Sequence, residues 1–454
     1  MGKGNSMARL GGDIHTQFYG YLWAYILVAL SGCLGNVVDG ILVGNLINED
    51  GVSAINLSKP INQFIFTLHL LINAGAGMLV GYSLGQNKID DARRFFTRAL
   101  SLSLGLGLLL TILGGVMFPH QTARLLCSND QILPLAEDYM QVLLIGNPAF
   151  IMMWGLSTMV GVDGSPKLVS VAVIIDNTVN LLLDIVFIQW LGWGITGSSA
   201  ATVVGHLVGI AILLSHWRKP ENRRLTPVFT GEGLMSSWKR IISQGAPLAV
   251  ASISLTLLLF SANSIVLSTT GRTGIFVFAL CMNLLQVYNL FVSGTCQTLQ
   301  SLGAIQVGKK NQEGLETVIK KGFRFITVSM VITCLLVWIF PQSIARLFGC
   351  DEPEMLTQSV PALRVFALSF IPFCYIYVLM IVYKLYSHHS MALFISFALS
   401  LTVIPVLWFM AKYMPQYLWY SYLIAYLIEA IVIFALHKGR HIEFKLKNAT
   451  TSKD

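Results

Sequence analysis

Asp176-Asn177-Thr178-Val179-Asn180-Leu181-Leu182-Leu183-Asp184 lies inside an apolar segment that runs from Leu168 to Trp190. A helix rises about 1.5 Å per residue, so a segment of this length is long enough to cross the roughly 30 Å hydrocarbon layer of a bilayer. Asp176, Asn180 and Asp184 recur every fourth residue and fall on one stripe of that helix. Asn177 lies beside the stripe, and Leu181, Leu182 and Leu183 cover the other faces. An ionised carboxylate at this depth costs roughly 2.5–3.5 kcal/mol on insertion scales. A chain that keeps two acids on one intramembrane stripe is expected to use them.

The rest of the chain has the same character. Its 454 residues are 55% hydrophobic and 11% charged, with a mean hydropathy of +0.68, whereas soluble domains carry about 25% charged residues. Long continuous apolar runs, without the alternation of a β-barrel, indicate an all-α polytopic membrane protein. The net charge of +8 needs no nucleic-acid partner, because cytoplasmic loops carry surplus Lys and Arg. Seven cysteines without a CxxC pair suggest neither a disulfide framework nor a metal site. Met1–Gln17 is polar and has no small-residue cleavage site, so no removable signal peptide is expected.

Twelve transmembrane helices are predicted, at 18–47, 53–86, 96–118, 134–161, 168–190, 195–217, 238–270, 274–307, 322–341, 357–386, 388–412 and 416–438. The first, second, seventh, eighth and tenth exceed what the hydrocarbon needs. By this assignment about 24 of the 30 Lys and Arg fall on one side. That bias predicts a multi-pass protein of the plasma (inner) membrane with both termini cytoplasmic. Phe118-Pro119 followed by Ala123-Arg124-Leu125 recurs as Phe340-Pro341 followed by Ala345-Arg346-Leu347, an offset of 222 residues. Gly85 recurs as Gly308 and Pro148 as Pro372, offsets of 223 and 224. Three matches at nearly one offset indicate duplication. Because six spans separate the copies, the expected architecture is two parallel six-helix lobes about a pseudo-two-fold along the membrane normal. The expected boundaries are residues 1–217 for the N-terminal lobe, 218–237 for a cytoplasmic linker, and 238–454 for the C-terminal lobe and tail.

Depth along the helices brings several polar residues to one level. Asp39 lies about 12 Å inside the outer end of its span, and Asp184 and Thr202 about 10 Å inside theirs. Asn36 and Asn180 are one turn deeper. If spans one, five and six are neighbours, these groups share a layer that suits a proton or a hard monovalent cation. The structural alternative is interhelical hydrogen bonding, which Asn36, Asn177 and Thr202 fit equally well. For Asp39 and Asp184 function is the better reading, because a structural link rarely offsets a buried acid. Asp176, nearer the cytoplasm, and Asn177 are candidates for a substrate cavity. So are Asn283 and Gln286 of span eight. Glu429 is an isolated deep acid. His69, His206 and His388-His389 form no metal-ligand pattern and read as hydrogen-bonded packing residues. There is no GxSxG, HExxH or Walker A sequence, so an enzyme is not expected, and uphill transport would need an ion gradient.

Gly35-Asn36-Val37-Val38-Asp39-Gly40-Ile41-Leu42-Val43-Gly44 resembles the first-helix signature of the multidrug and toxic compound extrusion (MATE) family. Gly81–Arg94 resembles its second cytoplasmic-end motif. Asn180–Asp184 with Phe187-Ile188, then Gly192-Trp193-Gly194-Ile195-Thr196-Gly197 through Thr202, resembles its span five–six signature most clearly. The resemblance covers the whole chain and is looser in the second lobe. It implies an alternating-access antiporter that exports amphipathic, chiefly cationic compounds in exchange for H⁺ or Na⁺. In the DinF-type branch the coupling site lies in the first lobe, and its residues match Asp39, Asn180, Asp184 and Thr202, where Na⁺ is also possible. The NorM-type branch relies on acids in the second lobe, and spans seven, eight and ten lack them here. No cofactor beyond the coupling ion is expected, and the chain is expected to act as a monomer. Rival readings are a lipid-linked saccharide flippase of the wider superfamily, which needs a basic cavity, and an exporter of one specific metabolite.

Overall fold

The computed structural model describes residues 13–47, 49–127, 129–218, 224–229, 233–347 and 353–446, and their regular structure is entirely helical. The spans are α1 (Ile14–Leu46), α2 (Ser53–Gly85), α3 (Ile89–Met117), α4 (Leu133–Ile145 with Asn147–Val162), α5 (Pro166–Trp190) and α6 (Gly194–Arg218). They continue as α7 (Leu234–Gly271), α8 (Thr273–Gly308), α9 (Gln312–Ile339), α10 (Met355–Leu385), α11 (His389–Tyr413) and α12 (Pro415–Gly439). Every predicted span is present. α2, α7, α8 and α10 run to 33, 38, 36 and 31 residues, longer than a bilayer needs.

The fourth span departs from a straight rod. Its two halves meet at 48° around Gly146. The cause is Pro148, which has no N–H to give the Leu144 carbonyl one turn back. Thr111 of α3 takes that carbonyl instead, its Oγ1 donating at 2.7 Å, and the Asn147 amide donates to the Gly107 carbonyl at 3.3 Å. In oil each freed backbone group needs such a substitute.

The chain divides into two compact units, Met1–Ala246 and Pro247–Asp454. The duplication is visible in their backbones. Phe118 (φ −132°, ψ 46°) and Phe340 (φ −118°, ψ 43°) each break the helix before a proline-led short one, Pro119–Arg124 and Pro341–Leu347. Asn87 and Lys310 both take left-handed φ, 57° and 55°, and Gly164 and Ser387 do the same at 97° and 62°. At each turn the following N–H reaches back five residues to a carbonyl: Lys88 to Ser83, Asn311 to Gln306, Ser165 to Val160 and His388 to Tyr383, at 2.8–3.1 Å. These are helix-ending motifs that satisfy the orphan carbonyls of α2, α8, α4 and α10.

The first unit extends past the predicted linker because the start of α7 packs on α2. A Cβ at Gly245 would stand 1.8 Å from the Leu71 carbonyl oxygen, and one at Gly75 would stand 2.2 Å from the Ile241 carbonyl oxygen. Only glycines let the two backbones approach so closely. Part of the predicted linker is also docked. Leu225 is wholly buried, the Arg93 Nε–H donates to the Arg224 carbonyl at 2.8 Å, and the Val228 N–H donates to Thr97 Oγ1 at 2.8 Å. The second unit holds the end of its chain in the same way. Gln312 at the start of α9 donates to the Phe444 carbonyl at 3.0 Å and accepts from the Leu446 N–H at 3.1 Å. Phe444 packs on Tyr383, Tyr386 and His437. Outward, α3 exposes Leu104, Leu108 and Ile112, and α9 exposes Val328, Ile332 and Leu336, apolar stripes at helical spacing that suit lipid.

Candidate functional site

α5 and α6 are joined by a tight turn in which Gly192 and Gly194 take φ of 67° and 56°, and the Trp193 N–H donates to the Phe187 carbonyl at 2.9 Å. The helices run back against each other on a ladder of small residues of α6: Gly197, Ala201, Gly205 and Gly209. A Cβ at Gly205 would lie 2.8 Å from Asp176 Oδ1 and 2.9 Å from the Asp176 carbonyl oxygen. Glycine at this position therefore allows the polar stripe of α5 to sit directly on α6.

Three levels of that stripe follow. In the middle, the Asn180 amide donates to Thr202 Oγ1 at 3.2 Å, and the Thr202 hydroxyl donates to the Ser198 carbonyl at 3.2 Å. One turn further along α5, Asp184 is completely buried and ends the α-helical part of the span, ahead of the wider π-helical turn Ile185–Trp190. Single wide turns of this kind often mark functional positions in helices. One turn back along α5, Asp176 is buried and both its carboxylate oxygens accept from His206 Nδ1, at 2.9 and 3.1 Å.

Span one is the third wall. The Asn177 amide donates to Ser31 Oγ at 2.9 Å, and a Cβ at Gly35 would lie 3.2 Å from Asn177 Oδ1. Spans one, five and six are thus neighbours, Asn180 meets Thr202, and Asp184 follows one turn along α5. The side chains of Asn36 and Asp39, one residue and one turn further along α1, lie outside the described residues. Asn283 and Gln286 are exposed on α8, off the buried Leu284, Leu285 and Tyr288 face. Glu429 is buried in α12 beside Tyr426, itself buried.

His206 engages both carboxylate oxygens of Asp176, a partner the sequence did not assign to it. Reading the histidines one at a time obscured this pairing. The signal was nonetheless present: antiparallel neighbours keep the sum of paired residue numbers constant, so Asn180 with Thr202 places Asp176 opposite His206 and Asp184 opposite Ser198. Two further polar clusters were not anticipated. Asp163, at the end of α4, binds His216 Nε2 at 2.9 Å and Arg224 Nη2 at 2.8 Å. In α2, Asn73 meets His69 Nδ1 at 3.2 Å and accepts from Ser103 of α3 at 3.1 Å.

The MatE family profile matches this chain twice, at residues 25–186 and 247–409. The chain belongs to the MatE family. The two matches start 222 residues apart, in agreement with the duplication read from Phe118-Pro119 and Phe340-Pro341. Among curated MatE relatives, multidrug export protein MepA of Staphylococcus aureus (strain bovine RF122 / ET3-1) is 24% identical over 345 residues, covering 73% of this chain and 74% of MepA. MepA of Staphylococcus haemolyticus is 24% identical over 348 residues, covering 75% of each. The fold matches the crystal structure of MATE in complex with MaL6, with a TM-score of 0.86 at 20% identity over 97% of this chain and 98% of that one. It also matches an outward-facing multidrug resistance MATE transporter of the MOP superfamily, with a TM-score of 0.86 at 20% identity, covering 95% and 97%. The MatE fold is a twelve-helix membrane transporter, and this chain has it.

Proposed function

We propose that this protein is a secondary active antiporter of the plasma membrane that exports amphipathic, chiefly cationic drugs or toxic compounds in exchange for H⁺ or Na⁺. The multidrug export assigned to its MepA relatives supports the substrate class. The observation that carries the coupling is the Asn180–Thr202 hydrogen bond one turn from the fully buried Asp184. A carboxylate enclosed in oil favours being neutralised by a proton or by Na⁺. The amide and hydroxyl oxygens beside it supply the further ligands a hard cation needs. The coupling residues are Asp39, Asn36, Asn180, Asp184 and Thr202, in the manner of the DinF-type branch.

The cycle follows from that preference. Ion binding from outside neutralises the acid and removes its desolvation cost, so spans one, five and six repack and drug is expelled. Inward rocking releases the ion to the cytoplasm and readmits substrate. Such coupling requires the ion to bind one packing state better than the other. Asp176, Asn177, Asn283 and Gln286 are the polar groups assigned to the substrate path. Both termini face the cytoplasm, and one chain suffices for the cycle.

Efflux of a fluorescent organic cation from proteoliposomes, with ΔpH and ΔpNa imposed separately, tests this reading. Uphill efflux under one gradient and its loss in Asp184→Asn, with substrate binding retained, is the expected result. Gradient-driven efflux unchanged in Asp184→Asn rejects the coupling assignment.

A further inference from the structure

We propose that Asp176 and His206 form a second proton-binding site in the first unit, on the cytoplasmic side of the Asn180–Thr202 level. The proposal deepens the antiport reading by placing a proton acceptor along the inward exit, but it concerns a site of its own.

The geometry is that of a proton-holding dyad. Both Asp176 oxygens are engaged by one imidazole nitrogen, at 2.9 and 3.1 Å, so His206 Nδ1 is held as the donor. The other ring nitrogen, Nε2, is buried and has no hydrogen-bond partner among the described residues. The site is closely walled. The side chains of Asp176 and His206 are 7% and 12% exposed. The Phe150 ring meets the imidazole edge-on at 5.0 Å, and Met153 lies against Gly209 one turn along. A structural link between two helices is achieved at lower cost by Asn, Gln or Thr, as at Asn180–Thr202. An acid and an imidazole buried in its place are weak evidence for stability, and imidazole is the side chain whose charge changes between about pH 5 and 8.

The two proton states differ in net charge. With the ring neutral, Nδ1–H donates to the carboxylate and the dyad carries −1. A proton taken at Nε2 makes an imidazolium–carboxylate pair of net charge zero, and the Nδ1–H···O bond stays intact. Release of the same proton from Nε2 restores the first state. No other bond changes. The dyad lies one turn, about 6 Å, from the Asn180–Thr202 level and two turns from Asp184. Few other charges compete. On α4, Asp163 is already bound by His216 and Arg224 at the far end. Glu137 and Asp138 occupy the opposite half of that span, and Cys33 and Asp39 are the titratable groups of α1 nearest this level. The side chain of Asp39 lies outside the described residues.

Imidazole nitrogen resonances of ¹⁵N-histidine-labelled protein in lipid, recorded from pH 5 to 9, test the site directly. Among the nine histidines, the imidazole resonance assigned to His206 is expected to change protonation in wild type and equally in Asp184→Asn. Its signal should vanish in His206→Gln, and its transition should move in Asp176→Asn. In proteoliposomes, His206→Gln, whose amide still reaches Asp176, is expected to flatten the dependence of efflux on lumenal pH at least threefold while substrate binding persists. A His206 ring that keeps one protonation state throughout, or a wild-type pH profile in both variants, overturns the proposal. If His206→Gln does not fold, the titration of wild type and of Asp176→Asn decides. Failure of the Asp184 coupling assignment shows instead as unchanged uphill efflux in Asp184→Asn, whatever the imidazole does.

Discussion

Arg224 Nη2 lies 2.8 Å from Oδ1 of Asp163 and also donates to the Asp163 carbonyl at 2.8 Å. The pair ties the stretch that leaves α6 to the end of α4, while His216 of α6 holds the other carboxylate oxygen. The Asp163 side chain is wholly buried and that of Arg224 is 19% exposed, so the partners are not screened as surface ions are. Removing one member of a buried pair strands the other charge.

Arg224→Ala is therefore expected to destabilise the first unit by about 3 kcal/mol. Adding Asp163→Asn should recover part of that loss, since the stranded charge is then gone. A double-mutant cycle of unfolding in detergent measures the coupling, and strictly additive effects would contradict the contact.

Gly245→Ala is expected to prevent the start of α7 from seating on α2, because its Cβ would stand 1.8 Å from the Leu71 carbonyl. Overpacking of this kind costs roughly 1–3 kcal/mol or more, and backbone on the other side cannot yield as a side chain can. Gly20→Ala is the matched control. Nothing lies within 4 Å of its Cβ position, so it should be neutral or gain about 0.5–1 kcal/mol from helix propensity. The yield of monodisperse protein and the unfolding midpoint of the two variants make the comparison.

Thr202→Val keeps shape but leaves the Asn180 amide without its acceptor. Interhelical hydrogen bonds in membranes are worth about 0.6 kcal/mol on average, so the stability change should be small. Transport should fall more steeply, by about tenfold, if the hydroxyl belongs to the ion site. Thr202→Ser, which retains the hydroxyl, is expected to restore efflux, and equal activity in Val and Ser variants would remove Thr202 from the site.

Gln312→Ala removes the bonds to the Phe444 carbonyl and the Leu446 N–H, together with a 3.2 Å bond to the Tyr386 hydroxyl. The end of the chain should loosen while the spans stay folded. Limited proteolysis is expected to trim near residue 440 several times faster than in wild type, with an unchanged fragment pattern elsewhere.

The spans were legible because the bilayer imposes a length on each apolar run, and charged residues with Gly or Pro mark where a run ends. The duplication was legible at Phe118-Pro119 and Phe340-Pro341 because proline at the head of a short helix leaves a recognisable mark. The bend at Gly146 was not drawn from Pro148, since a proline inside a span predicts a freed carbonyl but not where a substitute donor stands. Thr111, on another helix, supplies it. Glycines 75 and 245 are 170 residues apart, and no local pattern links them.

By itself, the sequence determined how many helices are long and apolar enough to cross a membrane, roughly where each lies, and the repeat at Phe118-Pro119 and Phe340-Pro341; α3 and α9 begin at Ile89 and Gln312, ahead of the expected 96 and 322. Hydropathy and helical rise act along one helix at a time, so a linear reading suffices for them. Only the tertiary structure decided which of those residues meet: Asn180 with Thr202, Asp176 with His206, and Asp163 with both His216 and Arg224. Those meetings depend on how far each helix is rotated and slid against its neighbours. Small residues such as Gly205 and Gly245 set that placement, through contacts between segments distant in the chain.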